Sequence, residues 1–282
     1  MSSPLVTSLR TLADLPDVTE ASEAAREACT SLRWHEGLRR RTAEAAAESR
    51  VRGAWASAEL DGARSSATIV RALMIGSRER SLDPDPAERV IHGAIAATAE
   101  TEHLRAAVVS APGQVLARLH TVAAAELVEH PDQLGRPRVE GEGCGELSDL
   151  GEPPERGELR ARLTGILDLM AVAGEVPALV AAAVVHAEIL AVRPFTTGNG
   201  LVARAVERLL VQALGLDPTG VAVPEAGHGA EGGPAYLGSA AGYVHGGPDG
   251  VRLWLRHCGA AVVAGAGEGV LVADSVRAGR LR

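Results

Sequence analysis

The residues whose types and spacing could do chemistry lie between His186 and Leu210, in the stretch HAEILAVRPFTTGNGLVARAVERLL. Arg193 is followed by Pro194 and Phe195, then by Thr197 and the turn Gly198-Asn199-Gly200, with Arg204 one helical turn further on. A helix opened by such a turn has its first backbone N–H groups unpaired and aimed outward, with the positive end of its dipole behind them. That arrangement receives anions, phosphate groups above all. The alternative reading is that the glycines only turn a corner between two helices.

The elements that position this stretch are helical. Leu201, Val202, Ala205, Val206, Leu209, Leu210, Ala213 and Leu214 recur at the helical period and define one buried face. Hydrophobic residues make up 46% of the 282-residue chain and charged residues 23%, a composition that folds. With aromatics at only 2%, the core must be built from Ala, Val and Leu, which favours closely packed helices. Residues 1–20 are polar, contain two prolines and are expected to form an irregular arm. A single helical domain is expected over 21–282, with a long helix from Ser31 to Ala58 stopped near Gly62 and a core from about residue 87. Between Pro131 and Pro154 the breakers are too dense for a helix. That segment is expected as an ordered loop or short hairpin tipped by Gly135, Arg136 and Arg138, or as a surface insertion. Gly215 to Pro234 is expected as a second loop, with Glu225 and His228 solvated in it.

Charge and cysteine usage exclude several classes. A net charge of −8 and a pI near 5.6 argue against nucleic acid, and Arg39, Arg40 and Arg41 fit a solvated helix face. Cys29, Cys144 and Cys258 are distant and odd in number, so neither a disulfide framework nor a metal site is indicated. The N-terminus lacks the pattern of a secretory leader and no run of eighteen apolar residues is present, so a cytoplasmic protein away from membranes is expected. His35, His120, His228 and His257 are isolated and read as structural. Cys258 follows His257, and neighbours on a helix point apart. His186 could orient the turn through a backbone hydrogen bond or serve as a substitute base.

Residues 193–204, RPFTTGNGLVAR, resemble the signature of Fic (Fido-fold) proteins, H-P-F-x-[D/E]-G-N-G-R-x-x-R. The Gly135 to Arg138 segment falls where that family places the flap that aligns target peptides. Ser57, Asp61 and Gly62 resemble its inhibitory motif, [S/T]-x-x-x-E-[G/N], on a helix over about 31–62. The resemblance implies an all-α Fic/Fido-like fold with a flap loop or short hairpin. It also implies ATP bound with its phosphates over Gly198-Asn199-Gly200 and transfer of AMP to a hydroxyl of a protein target. In the family the signature His is the general base, the acidic residue holds magnesium, the arginines bind phosphate, and the inhibitory glutamate pairs with the last arginine.

The departures fall on the reactive groups. Arg193 stands where the base belongs, and a guanidinium with a pKa above about 12 cannot accept the proton. Thr197 replaces the metal-holding carboxylate, so magnesium is not expected to be held in the usual way. Leu201 replaces the first phosphate arginine, while Phe195, Gly198, Asn199, Gly200 and Arg204 remain. Arg193 either adds a fixed cation to the anion site or caps carbonyls or pairs with Asp61 or Glu188. Asp61, one methylene shorter than the family glutamate, is expected to approach Arg204. The leading expectation is a degenerate Fic-like protein, a pseudoenzyme that binds ATP or another phosphate-bearing ligand and acts through a protein target or regulatory partner. The alternatives are an adenylyltransferase with a substitute base and a partner-binding helical scaffold. A second copy of the chain is a further candidate partner, through the Ala-rich helix 31–58.

Overall fold

In the computed structural model, which describes residues 3–280, all regular secondary structure among the described residues is helical. The chain opens with α1 (Pro4–Ala13) and α2 (Pro16–Arg33). The expected irregular arm is therefore absent, and Val6, Leu9 and Val18 are buried. Both prolines occupy a first helical position, where a missing N–H costs nothing and the fixed φ suits the helix. They begin helices here; they do not break them.

The long helix expected from Ser31 is interrupted. After α2 the chain makes a short 3-10 turn at Glu36–Leu38, and α3 runs from Thr42 to Leu60. α3 ends as expected at Gly62 (φ +83°), with the Ala63 N–H returning to the Ala58 carbonyl. α4 (Ala67–Met74) is capped by the Ser66 hydroxyl, and α5 (Pro86–Leu104) by a reciprocal box between Asp85 and Glu88. α6 spans Pro112–Ala123. Residues 124–155 then form an ordered loop with 3-10 turns at Pro131–Gln133 and Ser148–Leu150; the short hairpin does not form.

α7 (Arg156–Ala171) leads to α8 (Ala178–Val192), which is apolar on every side and buried almost throughout. A helix hydrophobic all round belongs at the centre of a fold. α8 packs on α9 (Asn199–Ala213), itself nearly all buried, and the loop between them carries the signature residues. α10 (Pro224–His228) is a short helix inside the segment expected as loop. α11 (Gly233–His245) and α12 (Gly247–Arg277) close the chain, with α12 lying across α2, α8, α10 and α11. α12 is long and apolar enough to cross a bilayer by length and composition, but half of its apolar window is buried inside the fold.

Candidate functional site

The loop from Arg193 to Gly198 is folded on itself by Asn199. The Asn199 Oδ1 accepts from the Phe195 N–H at 2.9 Å, and its Nδ2 donates to the Phe195 carbonyl at 2.9 Å. Phe195 is buried and stacks on His120, ring centroids 3.9 Å apart. His120 in turn ties two segments together. Its Nδ1 accepts from the Gly135 N–H at 2.9 Å, and its Nε2 lies 3.2 Å from the Thr197 carbonyl, so the proton belongs on Nε2. Burial lowers the imidazole from 6.5 to about 4, which keeps it neutral and keeps both bonds.

Gly198 (φ +77°) leads into the first turn of α9 and leaves the expected pair of N–H groups pointing outward. They are already occupied. The Glu146 carboxylate accepts from the Gly198 N–H at 2.9 Å, from the Asn199 N–H at 2.6 Å and from the Asn199 side-chain amide. The anion site anticipated from the turn thus holds a carboxylate of this chain, contributed by the loop before α7. Burial and the nearby Asp61 raise the Glu146 pKa, and these outweigh the pull of the three donors. Glu146 was invisible in the sequence, one acid among glycines in EGEGCGELSD.

Arg193 bonds the chain beside this nest, and its charge is near enough to attract the Glu146 carboxylate. Arg193 sits at the C-terminal cap of α8 in the left-handed region (φ +44°), buried, with its Nη1 donating to the Leu147 carbonyl at 3.1 Å. Carbonyl capping is realised, and pairing with Asp61 or Glu188 is not. Glu188 is paired with Arg162 and Asp61 with Arg204. The carbonyl held by Arg193 belongs to the residue next to Glu146, so the guanidinium fixes the backbone that presents the carboxylate. Arg138 adds to the same seam: its N–H donates to the Pro194 carbonyl at 2.8 Å and its Nε to the Arg193 carbonyl at 2.8 Å. Arg136 is taken up by Asp132 and Glu142. Both arginines expected in a flap are thus engaged within the chain.

On the other side of the turn, Arg204 is buried and meets the end of α3. Its Nη2 lies 2.8 Å from Asp61 Oδ1 and 3.0 Å from the Ser57 carbonyl, and its Nε donates to the Ser57 hydroxyl at 2.8 Å. The approach of Asp61 to Arg204 expected from the motif spacing is present. Gly200 makes room for it, since a Cβ there would stand 2.8 Å from Asp61 Oδ1 and 3.1 Å from Arg204 Nη1. Leu201 is a core residue. Thr197 offers only a neutral hydroxyl where a magnesium ion would need charged oxygen, so the residues here do not fit that metal in the family's manner. A cavity of about 360 Å³ opens over the turn, walled by Leu60, Asp61, Leu127, Glu146, Asp149 and Thr197 among others. Its volume is at the small end for ligand pockets.

A second polar cluster lies behind Arg204 and overturns two expectations. His186 does not orient the turn: its Nδ1 is 2.7 Å from Glu207 Oε2 and its Nε2 is 2.8 Å from the Tyr236 hydroxyl. His228 and Glu225 are not solvated. Glu225 pairs with the buried Arg208 at 2.7 Å, and His228 Nε2 is 2.6 Å from the same Glu207 oxygen. The short helix α10 carries both inward, where an isolated reading of each residue in a glycine-rich segment could not place them.

A helical bundle with an anion-receiving helix start beneath a loop, clamped by the end of a preceding helix, defines a class, and comparison with solved structures gives that class its fold. The chain superposes on a Fic family protein from Desulfovibrio desulfuricans with a TM-score of 0.65 at 19% identity, covering 98% of this chain and 76% of that one. It matches Fic-1 from C. elegans at 0.62 and 15%, covering 92% and 73%, and a Fic domain containing signaling protein from Bacteroides thetaiotaomicron at 0.62 and 13%, covering 90% and 98%. No family model matches the sequence, and no curated protein matches it significantly. The chain has the Fic (Fido) fold.

Proposed function

We propose that this chain is a Fic-like binding or regulatory protein whose phosphate cradle is retained, closed by its own Glu146, and no longer serves adenylyl transfer. The observation that carries the reading is the Glu146 carboxylate seated on the Gly198 and Asn199 N–H groups. A site that takes a carboxylate through backbone donors at a helix start has the chemistry to take a phosphate. Arg193 supports the loss of transfer, because it is both unable to act as a base and committed to the Leu147 carbonyl. Cys144, whose sulfur accepts from the Asn199 side-chain amide, has its thiol pushed up to about 11 by burial and the nearby Glu146, so it stays protonated.

Calorimetry with ATP, ADP and inorganic phosphate on the natural chain and on Glu146→Ala tests the reading. Removing the internal carboxylate is expected to tighten binding of at least one of the three at least tenfold. A folded Glu146→Ala protein that binds none of them at millimolar concentration sinks the proposal. Labelled ATP supplies the second arm: no labelled protein is expected, and a labelled band abolished by Asn199→Ala would instead establish a transferase.

A further inference from the structure

The cluster around Glu207 is separate from the cradle and is built from α8, α9 and α10. His186, Glu207 and His228 are at most 1% exposed, and their ligand-type atoms all lie within 4.8 Å of one another. Both imidazole nitrogens converge on a single carboxylate oxygen, Oε2, while Oε1 is buried and has no hydrogen-bond partner among the described residues. Each ring is also held from behind: Tyr236 bonds the far nitrogen of His186 at 2.8 Å, and His257 Nε2 lies 3.0 Å from the far nitrogen of His228. Outer partners of this kind fix the orientation of histidines that ligate metals.

The neighbouring arginines are engaged elsewhere. Glu207 lies between Arg204 and Arg208 in sequence, but those guanidinium groups are spent on Asp61 and Glu225. The two imidazoles are the direct partners of the buried carboxylate, at 2.7 and 2.6 Å. We infer that His186, Glu207 and His228 form a binding site for one divalent transition-metal ion of the zinc class, with Tyr236 and His257 as its outer support. Two neutral imidazoles and one carboxylate are a ligand set that zinc accepts, leaving a fourth position for water. With metal–ligand bonds of about 2.0–2.2 Å in a tetrahedral site the ligand atoms must part by roughly 0.6–0.9 Å from their present contacts. The unpartnered Oε1 lets the carboxylate turn to do so. The way in is the open groove of about 610 Å³ between α2, α11 and α12, whose wall includes His257 and Gly227, directly outside His228.

The test is titration of the chelator-treated full chain with Co²⁺, followed by visible absorption and by competition with Zn²⁺. One ion per chain with a tetrahedral nitrogen and oxygen spectrum is expected. Binding should be lost in Glu207→Gln and His228→Gln, and weakened about 10- to 100-fold in His257→Gln, the half-buried outer residue whose replacement leaves the core packing in place. Absence of bound metal, a thiolate spectrum, or affinity unchanged in His257→Gln and in whichever core variants fold would each overturn the inference.

Discussion

At Arg193 the chain carries a guanidinium where the resembling signature has histidine, and the side chain holds a loop carbonyl instead of a reactant. Arg193→Ala should therefore free Leu147 and Glu146 without unfolding the core. Amide exchange over residues 144–150 is expected to quicken at least tenfold, and unchanged exchange there would contradict the role. His120 makes a pH prediction. Its imidazole is neutral in the fold with a pKa of about 4, against 6.5 unperturbed, so between those values the unfolded chain binds the extra proton. Stability is full above pH 6.5 and falls as pH drops towards 4, by about 3 kcal/mol from this residue. The same protonation places a donor against the Gly135 N–H and loosens the loop. Urea unfolding of His120→Gln should be less acid-sensitive over that window than the natural chain. At this scale the Asp61, Ser57 and Arg204 contact was legible, because a motif on one helix and a motif on another each fix their own spacing. Glu146 was not, since its bonds to the turn cross 52 residues of sequence with no periodicity to betray them.

The helices α3 and α9 are fastened by that contact. Asp61→Asn removes the anion from a guanidinium that is 1% exposed, leaving the Ser57 bonds in place. It is expected to cost about 2 kcal/mol in chemical denaturation. Arg204→Met in the same background should recover part of that loss, because the unpaired charge goes with it. α9 was legible from its apolar period and α8 from its apolar run. α1 was missed because its proline read as a breaker, and α10 because five residues among glycines carry no period. The break between α2 and α3 was also hidden. Gly37 packs its bare Cα side against the Ala273 carbonyl of α12 and Arg41 bonds the Val276 carbonyl, tertiary contacts that local sequence does not display.

Across the whole molecule the cradle and the Glu207 cluster share one neighbour. The Arg204 guanidinium reaches over the Tyr236 ring at 6.0 Å, and Tyr236 bonds His186, so the two polar sites meet through α9 and α11. The fold as a whole was legible from the signature and its flanking segments. The second site was not, because its three members are each 21 residues apart and belong to three helices.

The glycines of α12 carry a consequence for how the molecule comes together. Gly247, Gly250, Gly259, Gly265, Gly267 and Gly269 lie in this helix, and at Gly265 a Cβ would stand 2.6 Å from the Val223 carbonyl. Each glycine costs roughly 1 kcal/mol of helix propensity relative to alanine, about 6 kcal/mol for the six. Such a segment has little capacity to coil on its own, so its helix is a product of docking and forms late. A synthetic peptide of residues 247–277 should give a random-coil circular dichroism spectrum in water. In the intact chain the central amides of α12 should exchange only through global unfolding. A helical peptide, or exchange faster than that of α8, would refute this order of assembly.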